Sequence, residues 1–109
     1  MIKEIDSVEL ASKLEAGEDI RVVDIRSEAE VMHGILPESE HLPMHLIPLK
    51  INDLPKDQDV VLYCRSGARS YQATAYLAQQ GFTNVYNLRG GIINWARNGL
   101  EIAAPARTA

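Results

Sequence analysis

Asp59-Val60-Val61-Leu62-Tyr63-Cys64-Arg65-Ser66-Gly67-Ala68-Arg69-Ser70 joins an apolar run, a Cys, a short loop with one Gly and the start of a helical pattern. The run is apolar at both odd and even positions, which predicts a strand buried on both faces, as in a parallel sheet. The helix is expected from Ala68 to Gln80, stopped by Gly81. Outward toward the C-terminus, Asn84–Leu88 reads as another short strand, and Gly90-Gly91 opens a last helix, Ile92–Asn98, closed by Gly99. Outward toward the N-terminus, Arg21–Ile25 is a β-branched strand. A helix over Ser7–Ala16 is introduced by Asp6 with Glu9 in capping-box spacing. Ser27 can cap a helical turn through Glu28, Glu30 and Val31 that ends at Gly34. Ile35–Lys56 carries four Pro and reads as irregular, with a short strand at His41-Leu42 and one helical turn at Leu46–Lys50. Alternating strands and helices predict an α/β fold, a small mainly parallel sheet with helices on both faces. We expect one domain over residues 1–103 and a frayed tail from Ala103 through residues 104–109.

The composition agrees with this. The chain has 109 residues, 46% hydrophobic and 24% charged, which fits a single globular domain and leaves no room for a separate substrate domain. A domain of this size buries roughly 60–70% of its unfolded surface and needs no covalent staple. One Cys cannot form an internal disulfide. The start MIKEIDSVEL has no apolar core of a signal peptide, and no run approaches the roughly 18 apolar residues of a membrane span. The expectation is therefore a cytoplasmic protein with a reduced thiol, a monomer, and no membrane partner. Charge is uneven: residues 1–59 hold fourteen acids and six bases, whereas residues 60–109 hold Glu101 and five Arg. Val60–Leu100 has no acid at all, which would keep carboxylates away from an anion site. The segment is too weakly basic, and lacks the interleaved aromatic residues, to suggest nucleic acid.

The strand-to-helix junction points to the chemistry. Ligand sites of open parallel sheets lie beyond the carboxyl ends of the strands, and Cys64 stands at one. The next helix offers unpaired N–H groups and the positive end of its dipole. Gly67 lets successive N–H groups converge as a nest, and Arg65 and Arg69 add two cations with no acid close by in sequence. All three favour a thiolate, and such settings lower a Cys pKa from about 8.5 to roughly 3.5–7.5. Cys64 is therefore the candidate nucleophile, with Arg65, Ser66, Gly67, Ala68, Arg69 and Ser70 as its anion cradle. The competing reading makes Cys64 a small buried hydrophobe and the two Arg solvated surface charges.

The residues Asp24-Ile25-Arg26, Glu30, Gly34–Pro37, Cys64–Ser70, Gly81-Phe82, Asn84-Val85, Leu88, Gly90-Gly91-Ile92 and Trp95 run in an order that resembles the single-domain rhodanese-like sulfurtransferases. The resemblance covers about residues 5–100. It implies a small α/β fold around Cys64 and a sulfane sulfur carried on Cys64 as a persulfide. It also implies a small anionic donor such as thiosulfate, and a thiophilic acceptor, cyanide in an assay and a thiol or protein in the cell. The sequence departs from the family at Gly34-Ile35-Leu36-Pro37-Glu38-Ser39, where relatives often read Gly-His-Ile-Pro-Gly-Ala; this bears on substrate preference. Tyrosine-type phosphatases hold one more residue between Cys and Arg than the four here, which widens their cradle for phosphate. The shorter loop disfavours phosphatase or arsenate-reductase activity. A second alternative is a sulfur-carrier or protein-interaction module loaded by a partner enzyme.

Other residues have blander expectations. Asp24 supports the loop or pairs with Arg26, and Arg26 with Glu30 has the spacing of a helical ion pair. Ser66 and Ser70 either bond the sulfur or cap the helix, with capping the simpler job for Ser70. Trp95 belongs to the core, and Gly90-Gly91 permits a close turn beside the Cys loop. His33, His41 and His45 all lie outside that loop and make a poor metal set, so neither metal nor cofactor is expected.

Overall fold

In a computed structural model, which describes residues 2–105, the strand Asp59–Tyr63 (β4) is the middle of a five-stranded sheet. Its alternation explains the layers. Val60, Leu62 and Cys64 face one side and pack with Val23, Ile25, Ala73, Leu77, Phe82 and Val85; Val61 and Tyr63 face the other, with Ile5, Leu10, Val22, Leu88 and Trp95. The elements in chain order are β1 (Lys3–Ile5), α1 (Ser7–Glu15), β2 (Ile20–Asp24), α2 (Glu28–Val31), β3 (Glu40–His41), α3 (Ile47–Lys50), β4, α4 (Ala68–Gln79), β5 (Val85–Leu88) and α5 (Gly91–Arg97). Short 3₁₀ turns at Met44–Leu46 and Ile51–Asp53 flank α3.

The sheet order is β1-β5-β4-β2-β3 and every pairing is parallel. All strand ends therefore point the same way, and the ends of β2, β4 and β5 lie side by side. Buried α4 residues Ala73 and Leu77 close one face, and Leu10 of α1 with Trp95 of α5 closes the other. No helix among the described residues is long and apolar enough to cross a membrane.

The expected α/β architecture holds, with strand and helix limits shifted by one or two residues. Sequence reading misses β1: three residues, Lys3-Glu4-Ile5, are too few to show a period, and they are a strand because β5 pairs with them. The expectation of fraying from Ala103 is corrected, because Ala103 exchanges two hydrogen bonds with Ile35 (2.9 and 2.8 Å). Residues 106–109 of the expected tail lie outside the described residues.

Leu77 is fully buried beneath the sheet. Leu77→Ala is expected to cost about 2–5 kcal/mol in a urea unfolding curve. Val8→Ala, at a position 61% exposed, should change the same curve by less than about 0.5 kcal/mol.

Candidate active site

Cys64 follows the last residue of β4, and strand alternation turns its side chain toward α4. The chain then makes a tight loop that ends at Gly67, the residue before α4. Gly67 has φ +99°, a left-handed conformation that costs a residue with a Cβ free energy. This turn aims the Gly67 N–H at the Cys64 sulfur, N to Sγ 3.1 Å. The first turn of α4 brings a second amide, Ser70 N–H, at 3.4 Å, and the Ser70 hydroxyl at 3.3 Å. Behind the loop, Gly91 has φ +59°, and a Cβ there would run into the Cys64 and Arg65 carbonyls. Those carbonyls accept the N–H groups of Ile92 (3.0 Å) and Ile93 (3.2 Å). The close turn expected at Gly90-Gly91 is thus present.

Burial of Cys64 pushes its thiol pKa up, but the Ser70 hydroxyl and the Ser70, Gly67 and Ser66 amides outweigh burial and hold it below the ordinary thiol value. The amide cradle expected from the sequence is therefore present, and the Ser70 hydroxyl joins it. Arg69 makes no hydrogen bond to the sulfur. It makes a two-pronged ion pair with Glu30, both N–O distances 2.8 Å. Glu30 raises the Arg69 pKa most, and the Cys64 thiolate adds a smaller pull. Arg65 and Ser66 are exposed, as is Ala68. So the acid-free stretch around Cys64 does not keep carboxylates from the loop: Glu30, thirty-nine residues away in sequence, is brought to Arg69 by the fold.

Two further expectations change, while the Asp24–Arg26 pair and the Ser27 cap form as the sequence offered them. Arg26 does not pair with Glu30; it takes Asp24 instead, Nη2 to Oδ2 2.7 Å, and also donates to the Gly34 carbonyl at 2.7 Å. Both partners are buried, so Asp24 and Arg26 lock the end of β2 to the segment after α2. Ser70 is no helix cap: Gly67 holds that position without a side-chain bond, and the buried Ser70 hydroxyl faces the sulfur. The cap expected at Ser27 does form, as a capping box whose Glu30 is the carboxylate that also holds Arg69. Trp95 is buried as expected, and His41 and His45 are exposed, although His41 Nε2 bonds the Arg26 carbonyl at 2.7 Å. No His, Cys, Asp and Glu cluster among the described residues could hold a metal ion.

Two residues near the site have partners that sequence did not show. Tyr63, fully buried, accepts the Leu36 N–H at 3.0 Å and shares a hydrogen bond with Ser39 at 3.1 Å, holding the segment that departs from the family pattern. Burial keeps its phenol protonated far above the usual value. Asn87 of β5 accepts the Ser70 hydroxyl at 2.5 Å. Its sequence signal was slight: it shares the strand parity of Val85, and so faces Cys64 and not solvent. An open groove of about 410 Å³ borders the loop, its lining mixing polar residues, among them Arg26, Glu30, His33 and Arg65, with the apolar Ile92 and Ile93.

A parallel sheet with an amide-cradled Cys at the end of its central strand defines a class of small α/β domains, and comparison with known proteins places the chain among them. The rhodanese-like domain family matches residues 6–98, and the chain belongs to that family. A sulfurtransferase of Allochromatium vinosum is 60% identical over 105 residues, covering 96% of this chain and 98% of that one. The YtwF protein of Bacillus subtilis, also named for sulfur transfer, is 43% identical over 94 residues, covering 86% and 90%. A rhodanese-like domain protein from Staphylococcus aureus superimposes with TM-score 0.84 at 32% identity, covering 94% of this chain and all of that one.

Two outcomes follow from the geometry. A thiol titration of Cys64, followed by thiolate absorbance, should give a midpoint below the ordinary value of about 8.5. Glu30 is held at a pKa of about 2, chiefly by the Arg69 hydrogen bonds and further by Ser27, against a smaller opposing effect of burial. A depressed folded-state pKa stabilises above the unfolded value of about 4.3, and that contribution fades as pH falls through the folded value. Glu30→Gln should therefore unfold at lower denaturant than wild type at neutral pH, with the gap closing by about pH 2. A gap that stays constant would show that the pair contributes no proton-linked stability.

Proposed function

We propose that this chain moves sulfane sulfur by a double displacement on Cys64. The observation that carries the reading is the set of donors converging on its sulfur: the Gly67 and Ser70 amides and the Ser70 hydroxyl. The names of the relatives from Allochromatium vinosum and Bacillus subtilis support sulfur transfer of the rhodanese type.

In the first step the Cys64 thiolate attacks the outer sulfur of a donor such as thiosulfate. An S–S bond forms to Sγ, the donor's own S–S bond breaks, and its electron pair leaves with sulfite. The negative charge now sits on the outer sulfur of a persulfide, beside the loop amides. In the second step an acceptor nucleophile, cyanide or a thiol, takes the outer sulfur, and the bond electrons return to Sγ as thiolate. The chain's part is to keep the sulfur ionised, hold it in place and receive the displaced charge. Ping-pong kinetics follow from such a scheme.

A second reading has its own observation. Arg69 is engaged by Glu30, so the loop offers a free small anion less guanidinium than its sequence promises, with exposed Arg65 beside it. This favours delivery of sulfur by a partner protein, with Cys64 as a carrier. Mass spectrometry separates the readings. Incubation with thiosulfate should add one sulfur atom to wild type and none to Cys64→Ser, and cyanide should remove it as thiocyanate. A persulfide that forms only with a cysteine desulfurase present would support the carrier, and hydrolysis of a phosphate ester would displace both. Arg69→Ala should weaken an anionic donor, seen as a raised KM for thiosulfate, by more than it lowers the melting temperature.

A further inference from the structure

The Ser70 hydroxyl has one proton and two acceptors within reach, Cys64 Sγ at 3.3 Å and Asn87 Oδ1 at 2.5 Å. It can serve only one of them at a time. All three residues are buried, with Ser70 at 0% and Asn87 and Cys64 each at 1% exposure, so water cannot make up the bond that is lost. The Asn87 amide cannot turn over to relieve the competition. Its Nδ2 donates to Glu4 Oε2 at 2.9 Å and to the Gly67 carbonyl at 3.3 Å, and a flipped amide would set its oxygen against both. β1 supplies Glu4, β5 supplies Asn87 and α4 supplies Ser70, so the arrangement spans three elements.

We infer that Asn87 is a positioning residue for the Cys64 thiol: its Oδ1 competes with the sulfur for the single Ser70 proton, and the hydroxyl turns with the charge on Sγ. A neutral thiol is a weak acceptor, and the hydroxyl stays on Asn87. A thiolate is a charged acceptor and draws the proton to itself. Once Sγ carries a second sulfur, the charge has moved outward, Sγ is neutral, and the hydroxyl returns to Asn87. No bond other than a hydrogen bond is made or broken in this turn. The charged groups around the relay are Glu4, with Arg89 at 3.7 Å from it, and on the other side Arg69, held by Glu30. The role in turnover rests on the sulfur-transfer reading of Cys64; the competition for the proton does not.

The test is a thiolate titration of the full chain, followed by ultraviolet absorbance. Ser70→Ala, which removes the donor, should raise the Cys64 midpoint by about one pH unit. Asn87→Leu, which leaves the hydroxyl no other acceptor, should lower it by a comparable amount, and this fall should vanish in the Ser70→Ala background. An upward shift in Asn87→Leu, or the same fall in both backgrounds, overturns the inference. Asn87→Leu also removes the bonds to Glu4 and to the Gly67 carbonyl and can fail to fold, so a wild-type measurement stands beside it. The side-chain amide resonances of Asn87 should titrate with the Cys64 midpoint and stay flat in Cys64→Ser; resonances indifferent to ionisation of Cys64 in wild type overturn the inference. Because both readouts follow the thiol alone, a protein that transfers no sulfur in any assay would remove the functional reading and leave this one standing.

Discussion

The sulfur of Cys64 is buried, and a buried anion is tolerated only where donors surround it. Three donors reach it, and they depend on two constraints. The Gly67 amide needs a left-handed residue at the loop's end; the Ser70 amide and hydroxyl need α4 to begin where it does. The loop's own carbonyls must be held from behind by α5, which only a residue without a Cβ at position 91 permits. The rest of the fold supplies rigid strand ends from which these pieces project.

That dependence explains how the ion pairs are distributed. Asp24 and Arg26 are both buried and bind each other in a fork, which ties β2 to the Gly34 carbonyl. A lone charge at that depth would cost several kcal/mol, so the pair is a constraint on geometry more than a source of stability. Arg69 and Glu30 are partly exposed and join α2 to the start of α4, the helix whose first turn holds the sulfur. One pair thus lies inside the fold at the end of β2, and the other at the rim beside the first turn of α4.

Much of the architecture was legible in the sequence. The apolar run before Cys64, the Gly residues that follow α1, α2, α4 and α5 and the Ser27 cap act over a few residues, and local physics sets them. The cradle itself was legible for the same reason, since a Cys at a strand end followed by Gly and a helix start places amides near sulfur. β1 was not legible, because three residues become a strand only when β5 lies beside them. The partner choices were not legible either. Arg26 had both Asp24 and Glu30 near it in sequence, and the fold decides for Asp24 because Arg26 lies ahead of α2 and not on it.

What the sequence by itself determined is the class of fold, the position of the reactive thiol and the shape of its loop, all products of alternation, turn chemistry and helix starts within a dozen residues. What only the tertiary structure decided is which charges and dipoles meet at that loop: Glu30 on Arg69, Asn87 on Ser70, Glu4 on Asn87. The physical reason is distance along the chain. These partners are 39, 17 and 83 residues apart, and side chains so separated are brought together by strand order and parity, which one-dimensional spacing does not encode.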